Sequence, residues 1–257
     1  MDEGDRRFWD GYWADEPPTL MARTMTAVLD RIKLEYLRPI LPPAGRTLEV
    51  GSGSARLSCL LAVAGYRTVC LDISMKGLMA ARANYSATKA SGWFVAGDGF
   101  GLPFRDGTFE AVLSTGLLEH FEDPSQVVLE MVRVLRPRGV FYSDIVPRKF
   151  SLFRSLEWVG RVKRALIGRA EPEEKFHERS FTAREIRDLL ERCGLVGARV
   201  FPAGVVPPYV PLLHRSRRLR EAQFCLVERT RTFWKRLDGT RLAEWLGFYY
   251  FACGTKP

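Results

Sequence analysis

The segment from Thr47 to Arg56, with the sequence TLEVGSGSAR, constrains the fold of this chain more than any other. A short apolar run ends in a polar turn with two glycines separated by one residue, and a helical pattern follows from about Ser54 to Ala64. Glycine permits a tight turn and a close ligand approach that a Cβ would block. This order of strand, turn and helix is typical of a nucleotide-binding loop, and the small Ser54 side chain could cap the helix.

Alternating strand and helix patterns continue to the end of the sequence. A capping box is predicted at Thr182-Ala183-Arg184-Glu185, before a helix that ends at Gly194. Together the patterns predict an α/β fold with a doubly wound sheet. The seven expected strands are Thr47–Val50, Tyr66–Leu71, Trp93–Ala96, Phe109–Ser114, Val140–Val146, Val196–Phe201 and Gly247–Cys253.

The composition favours a single soluble domain with elaborations. A chain of 257 residues can bury a sizeable core. Its five cysteines are scattered without Cys-x-x-Cys pairs, which argues against a disulfide framework and against a zinc site. The N-terminus lacks the pattern of a signal peptide, and no apolar run is long enough to span a bilayer. We therefore expect a cytoplasmic protein without a bound metal.

The formal charge of +9 is compatible with a nucleic-acid partner, an anionic membrane surface or an acidic substrate. Two stretches mix apolar with basic residues, from Arg148 to Arg169 and from Pro202 to about Leu246. Each stretch can pack on its own domain, form a lid over a ligand, or contact an anionic bilayer peripherally. The sequence leaves these three interpretations open.

The N-terminal residues form a separate pattern. An aromatic cluster of Phe8, Trp9, Tyr12 and Trp13 precedes an amphipathic helix from Thr24 to Leu37. The cluster either packs on the main domain or caps a ligand. We expect residues 1–45 to be an N-terminal helical cap and residues 46–257 to be the main domain, with insertions at about 148–178 and 202–245.

Two carboxylates follow strands at positions that suit a bound nucleoside. Asp72 ends the second strand about 20 residues beyond the glycine loop, where a carboxylate can accept hydrogen bonds from both ribose hydroxyls. Asp98 lies between two glycines after the third strand. Its carboxylate can accept the exocyclic amine of adenine, beside the amide of Gly99.

These residues resemble the class I S-adenosylmethionine-dependent methyltransferases, in particular the small-molecule group that includes the ubiquinone and menaquinone biosynthesis C-methyltransferases. The resemblance covers about Arg46 to Val146. It implies a Rossmann-like, mostly parallel seven-stranded sheet with an antiparallel last strand and helical lid insertions. The matching segments are Leu48–Gly53, Leu71–Ser74, Ala96–Phe104, Phe109–His120 and Val134–Gly139.

The resemblance also implies S-adenosyl-L-methionine as cofactor and S-adenosyl-L-homocysteine as product. Asp72 would then face the ribose hydroxyls, and Ile73 one face of the adenine. Asp98 and Gly99 would face the polar edge of the adenine. The methionine part would meet Glu49 and the backbone of Gly51, Ser52 and Gly53, and the far wall would be Thr115 and Leu117.

Several other functions are less consistent with the same residues. A dinucleotide dehydrogenase needs a small residue where this loop has Arg56. Amino-methylating nucleic-acid enzymes carry an Asn/Asp-Pro-Pro-Tyr-like loop after the fourth strand, where this chain has Ser114-Thr115-Gly116-Leu117. The similar Val206-Pro207-Pro208-Tyr209 is interpreted as a rigid loop. A cofactor-binding scaffold without catalysis also stays open.

Methyl transfer from a sulfonium is an in-line displacement that needs positioning and exclusion of water. An acceptor hydroxyl or enol would also need a base, and His120 is the candidate because it follows the fourth strand. Alternatively, Glu119 and His120 only stabilise that loop, and His177 beside Glu178 is a weaker candidate. The predicted function is methyl transfer to a small aromatic or lipophilic molecule, with nucleic-acid methylation or a scaffold role as alternatives. The sequence specifies neither the acceptor atom nor the oligomeric state.

Overall fold

The structure is a computed structural model that describes residues 3–14, 20, 24–145, 179–207 and 216–257. Its seven strands form one sheet in the order β3-β2-β1-β4-β5-β7-β6. Strand β7 is antiparallel to both of its neighbours, whereas the pairs from β3 to β5 are parallel. The predicted fold is confirmed. The strands are β1 Arg46–Val50, β2 Arg67–Asp72, β3 Gly92–Ala96, β4 Phe109–Thr115, β5 Leu135–Ile145, β6 Val196–Ala203 and β7 Tyr249–Thr255.

Helices flank both faces of this sheet. A single 3-10 turn, Leu118–His120, follows β4. The described helices are α1 Glu3–Trp13, α2 Met25–Leu37, α3 Arg56–Val63, α4 Met75–Thr88, α5 Ser125–Val134, α6 Ala183–Arg192, α7 Arg217–Lys235 and α8 Ala243–Leu246.

Strand β1 is central because β2 and β4 pair with it on either side. Its last four residues are all buried, which is typical of a parallel strand covered by helices on both faces. Alternate side chains of the sheet therefore enter two cores. Val112 and Phe141 pack with α5 and α6 on one face. Leu113 and Tyr142, with their neighbours, pack with α2 and α7 on the other.

The start of α3 differs from the prediction, because Ser54 does not cap it. The residue before the helix is Ala55, which adopts a left-handed conformation with φ of 49° and provides no side-chain cap. The loop makes an additional tight turn, in which the Ala55 amide donates to the Ser52 carbonyl at 2.7 Å. The Ser54 carbonyl instead accepts a hydrogen bond from the Asn84 side chain at 2.9 Å.

Strand β5 begins at Leu135, earlier than the predicted Val140, because Leu135 already pairs with Phe109 through an irregular register. Helix α5 consequently ends at Val134 and leaves carbonyl groups without helical partners. The ammonium group of Lys256 satisfies this end of the helix. It donates to the carbonyls of Val132, Arg133 and Leu135 at 2.8, 3.2 and 2.7 Å.

The predicted insertion at 148–178 lies outside the described residues. Its interpretation as a lid or as a membrane contact therefore stays a prediction. The second predicted insertion, at 202–245, contains α7 and α8 where it is described. None of the described helices combines the length and the apolar character needed to cross a membrane.

The capping box predicted before α6 is confirmed. The Thr182 hydroxyl accepts from the Glu185 amide at 3.2 Å, and the Glu185 carboxylate accepts from the Thr182 amide at 2.7 Å. We expect Thr182→Ala to lower the free energy of unfolding by about 1 kcal/mol, since the first turn loses one capping acceptor. Urea unfolding measures this change. Arg184→Ala in the same turn is the control, and an equal loss in both variants would contradict the role of the cap.

Candidate active site

A cavity of about 360 Å³ opens at the carboxyl ends of β1, β2, β4 and β5. In open parallel sheets this is where ligands bind, and the volume lies within the range of small-molecule sites. Of the residues predicted from the sequence, eight line it: Gly51, Ser52, Asp72, Ile73, Gly99, Thr115, Leu117 and His120.

The glycine loop after β1 forms one wall of this cavity. Gly51 has a φ of 65°, and a Cβ at this position would lie 2.6 Å from the Leu117 side chain. Gly53 has a φ of 48°, and its Cβ would lie 2.2 Å from the indole of Trp13. Between them, Ser52 has a buried hydroxyl without a hydrogen-bond partner among the described residues. The two glycines thus permit the turn and the close packing of Leu117 and Trp13, while the Ser52 hydroxyl is available to a polar ligand.

Asp72 lies at the end of β2 and is held by the loop itself. One carboxylate oxygen accepts from the Gly53 amide at 2.6 Å, and the other accepts from the Ser74 amide at 2.8 Å. Burial raises the pKa of Asp72, against the lowering effect of these amides. Because each carboxylate oxygen has two lone pairs, the group can accept further hydrogen bonds from a ligand while it holds the loop.

Glu49 is fully buried and is not among the residues that line the cavity. Its carboxylate accepts from the Ser58 amide at 3.0 Å and from the Thr115 hydroxyl at 2.9 Å, so it links β1 to α3 and β4. Burial raises the pKa of Glu49 to about 6, although these hydrogen bonds and the nearby Lys33 favour the charged form. Glu49 therefore orders the groups that surround the site.

The two residues predicted to face the adenine edge have different positions. Gly99 lines the cavity, and so does Gly97. Asp98 lies between them but is not in the cavity wall, and one of its carboxylate oxygens accepts from the Phe100 amide at 3.0 Å. Its contact with a ligand stays a prediction.

Helix α1 lies at the edge of the cavity and contacts the start of α4 and His120. The Asp10 carboxylate accepts from the Ser74 hydroxyl at 2.6 Å and from the Lys76 amide at 3.1 Å, and the Ser74 hydrogen bond lowers the pKa of Asp10. The Trp9 ring meets the His120 ring edge to face at 4.9 Å. The sequence drew attention to the aromatic residues of α1 but gave no signal for Asp10.

A second group of cavity residues was missed by the sequence analysis. Lys33 of α2 forms an ion pair with Asp144 at the end of β5, and its ammonium lies 3.9 Å from Asp30. Asp30 in turn accepts from Arg56 at 2.7 Å. Burial opposes the charge on Lys33, but the two carboxylates outweigh it and raise the pKa of Lys33. These four charges lie in the cavity wall with Phe248 and Tyr249 of the C-terminal region.

The described part of the chain shows neither a candidate metal site nor a disulfide bond. Its histidines, cysteines and carboxylates form no group that could hold a metal ion. All five cysteines are described, and each is a free thiol. His177, the weaker candidate base, lies outside the described residues.

Comparison with known proteins identifies the segment that carries the glycine loop. Residues 48–143 match the family model described as "Methyltransferase domain". This segment is similar to that family, and we refer to residues 48–143 as the methyltransferase domain. The resemblance inferred from the sequence is thereby confirmed, and the domain contains all the residues predicted to bind cofactor as well as His120.

Two relatives are similar to parts of this chain. A demethylmenaquinone methyltransferase of Mycolicibacterium gilvum is 39% identical over 99 residues, which are 38% of this chain and 41% of the relative. A protein of Mycolicibacterium smegmatis, named "Probable S-adenosylmethionine-dependent methyltransferase", is 31% identical over 165 residues, or 64% of this chain and 57% of the relative. The chain thus spans less than two thirds of either relative.

Solved structures show the same fold around the methyltransferase domain. The crystal structure of SpnF, a (4+2)-cyclase, has a TM-score of 0.56 at 17% identity and covers 89% of this chain and 80% of that one. An enzyme with this fold can therefore catalyse a reaction other than methyl transfer.

The raised pKa of Glu49 predicts a pH-dependent cost of folding. Because the folded protein holds this proton more tightly than the unfolded chain, stability is lost as the pH rises from about 4.5 to 6. The loss should be about 2 kcal/mol. Glu49→Gln should remove this pH-dependent loss. The difference in the free energy of unfolding between wild type and variant should therefore change by the same amount over this pH range. If the free energies of unfolding of wild type and Glu49→Gln differed by the same amount at every pH from 4 to 8, this prediction would be wrong.

Proposed function

We propose that this chain transfers a methyl group from S-adenosyl-L-methionine to a small aromatic or lipophilic molecule. The supporting observation is the cavity of about 360 Å³, which is lined by residues of the methyltransferase domain and by aromatic residues of other segments, Trp9, Trp13, Phe248 and Tyr249. The name of the demethylmenaquinone methyltransferase relative also favours a small lipophilic acceptor.

The residues of the glycine loop and those that follow β2 and β3 fit this cofactor. Asp72 would accept the ribose hydroxyls, Ile73 would pack on the adenine, and the Gly99 amide with Asp98 would face its polar edge. The unpaired Ser52 hydroxyl and the glycines beside it suit the polar methionine part, with Glu49 holding the loop in place from below. When bound, the cofactor supplies a methyl group that is activated by a positively charged sulfur.

The cavity also has side chains that suit a flat aromatic acceptor. Trp9, Phe121, Phe248, Tyr249 and Ile145 line it, beside the ion-paired charges of Lys33 and Asp144. Aromatic walls of this kind bury large apolar surfaces and orient a ring by stacking or edge contacts. They would exclude water and align the acceptor for an in-line attack.

His120 is the proposed base for an acceptor hydroxyl or enol. Its ring lines the cavity after β4, where Trp9 restricts its orientation. A proton leaving the acceptor oxygen would pass to an imidazole nitrogen as that oxygen forms its bond to the methyl carbon.

Helix α1 is proposed to act as a cap on the cofactor side. Its Trp13 covers the glycine loop at Gly53, and Asp10 fastens the helix to the start of α4. A cofactor bound between the loop and α1 would be shielded from water, which strengthens polar contacts within the site.

The first test is calorimetric binding of S-adenosyl-L-homocysteine, with NAD and adenosine as comparison ligands. Wild type should bind it, and Asp72→Asn should weaken the affinity by about 10- to 100-fold, since a charged acceptor of ribose hydrogen bonds is lost. Asp188→Asn, a carboxylate of α6 outside the cavity, should bind like wild type. A folded wild type that does not bind would refute the proposed function.

Transfer of a labelled methyl group then identifies the acceptor class. A panel of phenolic, quinone-like and sugar hydroxyl compounds is compared with RNA. Transfer to RNA alone would favour nucleic-acid methylation, and cofactor binding without transfer to any member would favour a scaffold.

Trp13→Ala tests the cap. Loss of the indole should expose the loop, so S-adenosyl-L-homocysteine should dissociate about tenfold faster in stopped-flow displacement. Tyr12→Ala is the matched control, because Tyr12 is the preceding residue of α1 and is 62% exposed. Equal dissociation rates in wild type and the Trp13 variant would mean that α1 only packs on the domain.

His120→Ala tests the base, with an oxygen acceptor found in the panel. The kcat at saturating acceptor should fall by about 100-fold, while the affinity for S-adenosyl-L-homocysteine stays unchanged. Turnover close to that of wild type would show that His120 stabilises the loop without taking part in proton transfer.

A further inference from the structure

The outward side of α7 carries a row of exposed, large apolar side chains. Leu219, Leu226 and Phe233 are 49%, 52% and 59% exposed. They are spaced seven residues apart, so on a helix with 3.6 residues per turn they share one side within about 20°. The row is about 21 Å long. Large apolar residues so aligned on a surface mark an interaction site.

The opposite side of α7 is fixed to the protein. Phe224 and Val227 are buried in the core shared with α2. Glu228 pairs with Arg31 at 2.9 Å, and Arg231 pairs with Asp238 at 3.1 Å. The helix is therefore a rigid part of the fold, and its apolar row cannot turn inward without breaking these contacts.

A row of positive charge runs beside the apolar row. Arg218, Arg229 and Arg236 are exposed and lie about 60° to 80° around the helix from Leu226. Helix α7 as a whole has six basic and two acidic residues, and one of the acids, Glu228, is engaged by Arg31. The surface thus combines apolar side chains that can insert into a layer with cations that prefer an anionic surface.

We propose that this side of α7, defined by Leu219, Leu226, Phe233 and the three arginines, binds the surface of an anionic lipid bilayer. Helices that lie in a membrane interface combine Leu and Phe on one side with Lys and Arg beside them. Long arginine side chains reach the phosphate groups while their aliphatic parts cover apolar surface. The positive charge distinguishes this occupant from a second copy of the same chain, whose arginine row would repel its own.

The proposal goes beyond methyl transfer and does not depend on it. It gives the acceptor class a physical context, since a lipophilic acceptor dissolved in a membrane is concentrated at the surface where this helix would bind. It also concerns α7 alone and makes no use of the basic stretch from residue 148 to 169.

Vesicle co-sedimentation tests the proposal with phosphatidylglycerol–phosphatidylcholine vesicles and with phosphatidylcholine vesicles. Wild type should bind the anionic vesicles about tenfold more strongly, and added salt should weaken this binding. The double variant Leu226→Ser/Phe233→Ser should bind about tenfold more weakly. The variant Arg229→Gln/Arg236→Gln should lose the preference for anionic vesicles.

Trp93→Ser is the matched control. Trp93 is 60% exposed, but it lies on β3 at the opposite edge of the sheet from β6 and should not affect vesicle binding. All these residues are exposed, so we expect the variants to fold and to retain the affinity of wild type for S-adenosyl-L-homocysteine.

Three results would overturn the proposal. The first is a wild type that binds neither kind of vesicle. The second is an equal reduction of binding by the α7 variants and by Trp93→Ser. The third is a wild-type dimer in sedimentation equilibrium that Leu226→Ser/Phe233→Ser dissociates, which would make this side of α7 an interface between copies. Loss of S-adenosyl-L-homocysteine binding in wild type would instead refute the proposed function and leave the vesicle result unaffected.

Discussion

The buried carboxylate of Glu49 holds together the three elements on which the site depends. Glu49 lies in the central strand, and its carboxylate accepts hydrogen bonds from the Ser58 amide in α3 and from the Thr115 hydroxyl in β4. A buried carboxylate is costly unless its oxygens are satisfied, so α3 and β4 must sit where these donors reach it. The glycine loop between β1 and α3 is thereby fixed at both ends. The raised pKa of Glu49 shows that the compensation is incomplete.

The cavity combines residues from two kinds of sequence. One part of the lining comes from the methyltransferase domain of residues 48–143, whose strands and turns place Asp72, Gly99 and Thr115 at one edge of the sheet. The rest of the lining includes Lys33 of α2, Asp144 after the domain, and Tyr249 of β7. This division fits an enzyme that keeps one donor and varies the acceptor, since the second group can change without disturbing the first.

The fold could be predicted from the sequence because its signals are local. Apolar runs, glycine turns and the Thr182–Glu185 capping box each lie within a few residues and agree with one topology. The loop after β1 was located for the same reason. The expected cap at Ser54 was wrong because an additional turn through Ala55 follows the glycines, and no side-chain pattern encodes that turn.

The missed part of the site depends on packing between distant segments. Lys33 meets Asp144 only after α2 has docked beside β5, and Asp10 meets Ser74 only after α1 has docked on α4. Neither pair has a spacing that a sequence could reveal. The sequence allows Asp98 to contact a ligand or to stabilise a turn. Its carboxylate accepts a hydrogen bond from the Phe100 amide, and this is compatible with both roles because the carboxylate has further lone pairs.

The position of β7 has a consequence for how this protein is made. Strand β6 joins the sheet through β7, and β5 presents its second edge to β7 as well. During synthesis from the N-terminus, both strands must therefore wait with unpaired edges until residues 249–255 leave the ribosome. The nascent chain can complete β1 to β5 early, but the α2 and α7 core closes last. Until then the unpaired edges of β5 and β6 are sites at which the nascent chain can aggregate.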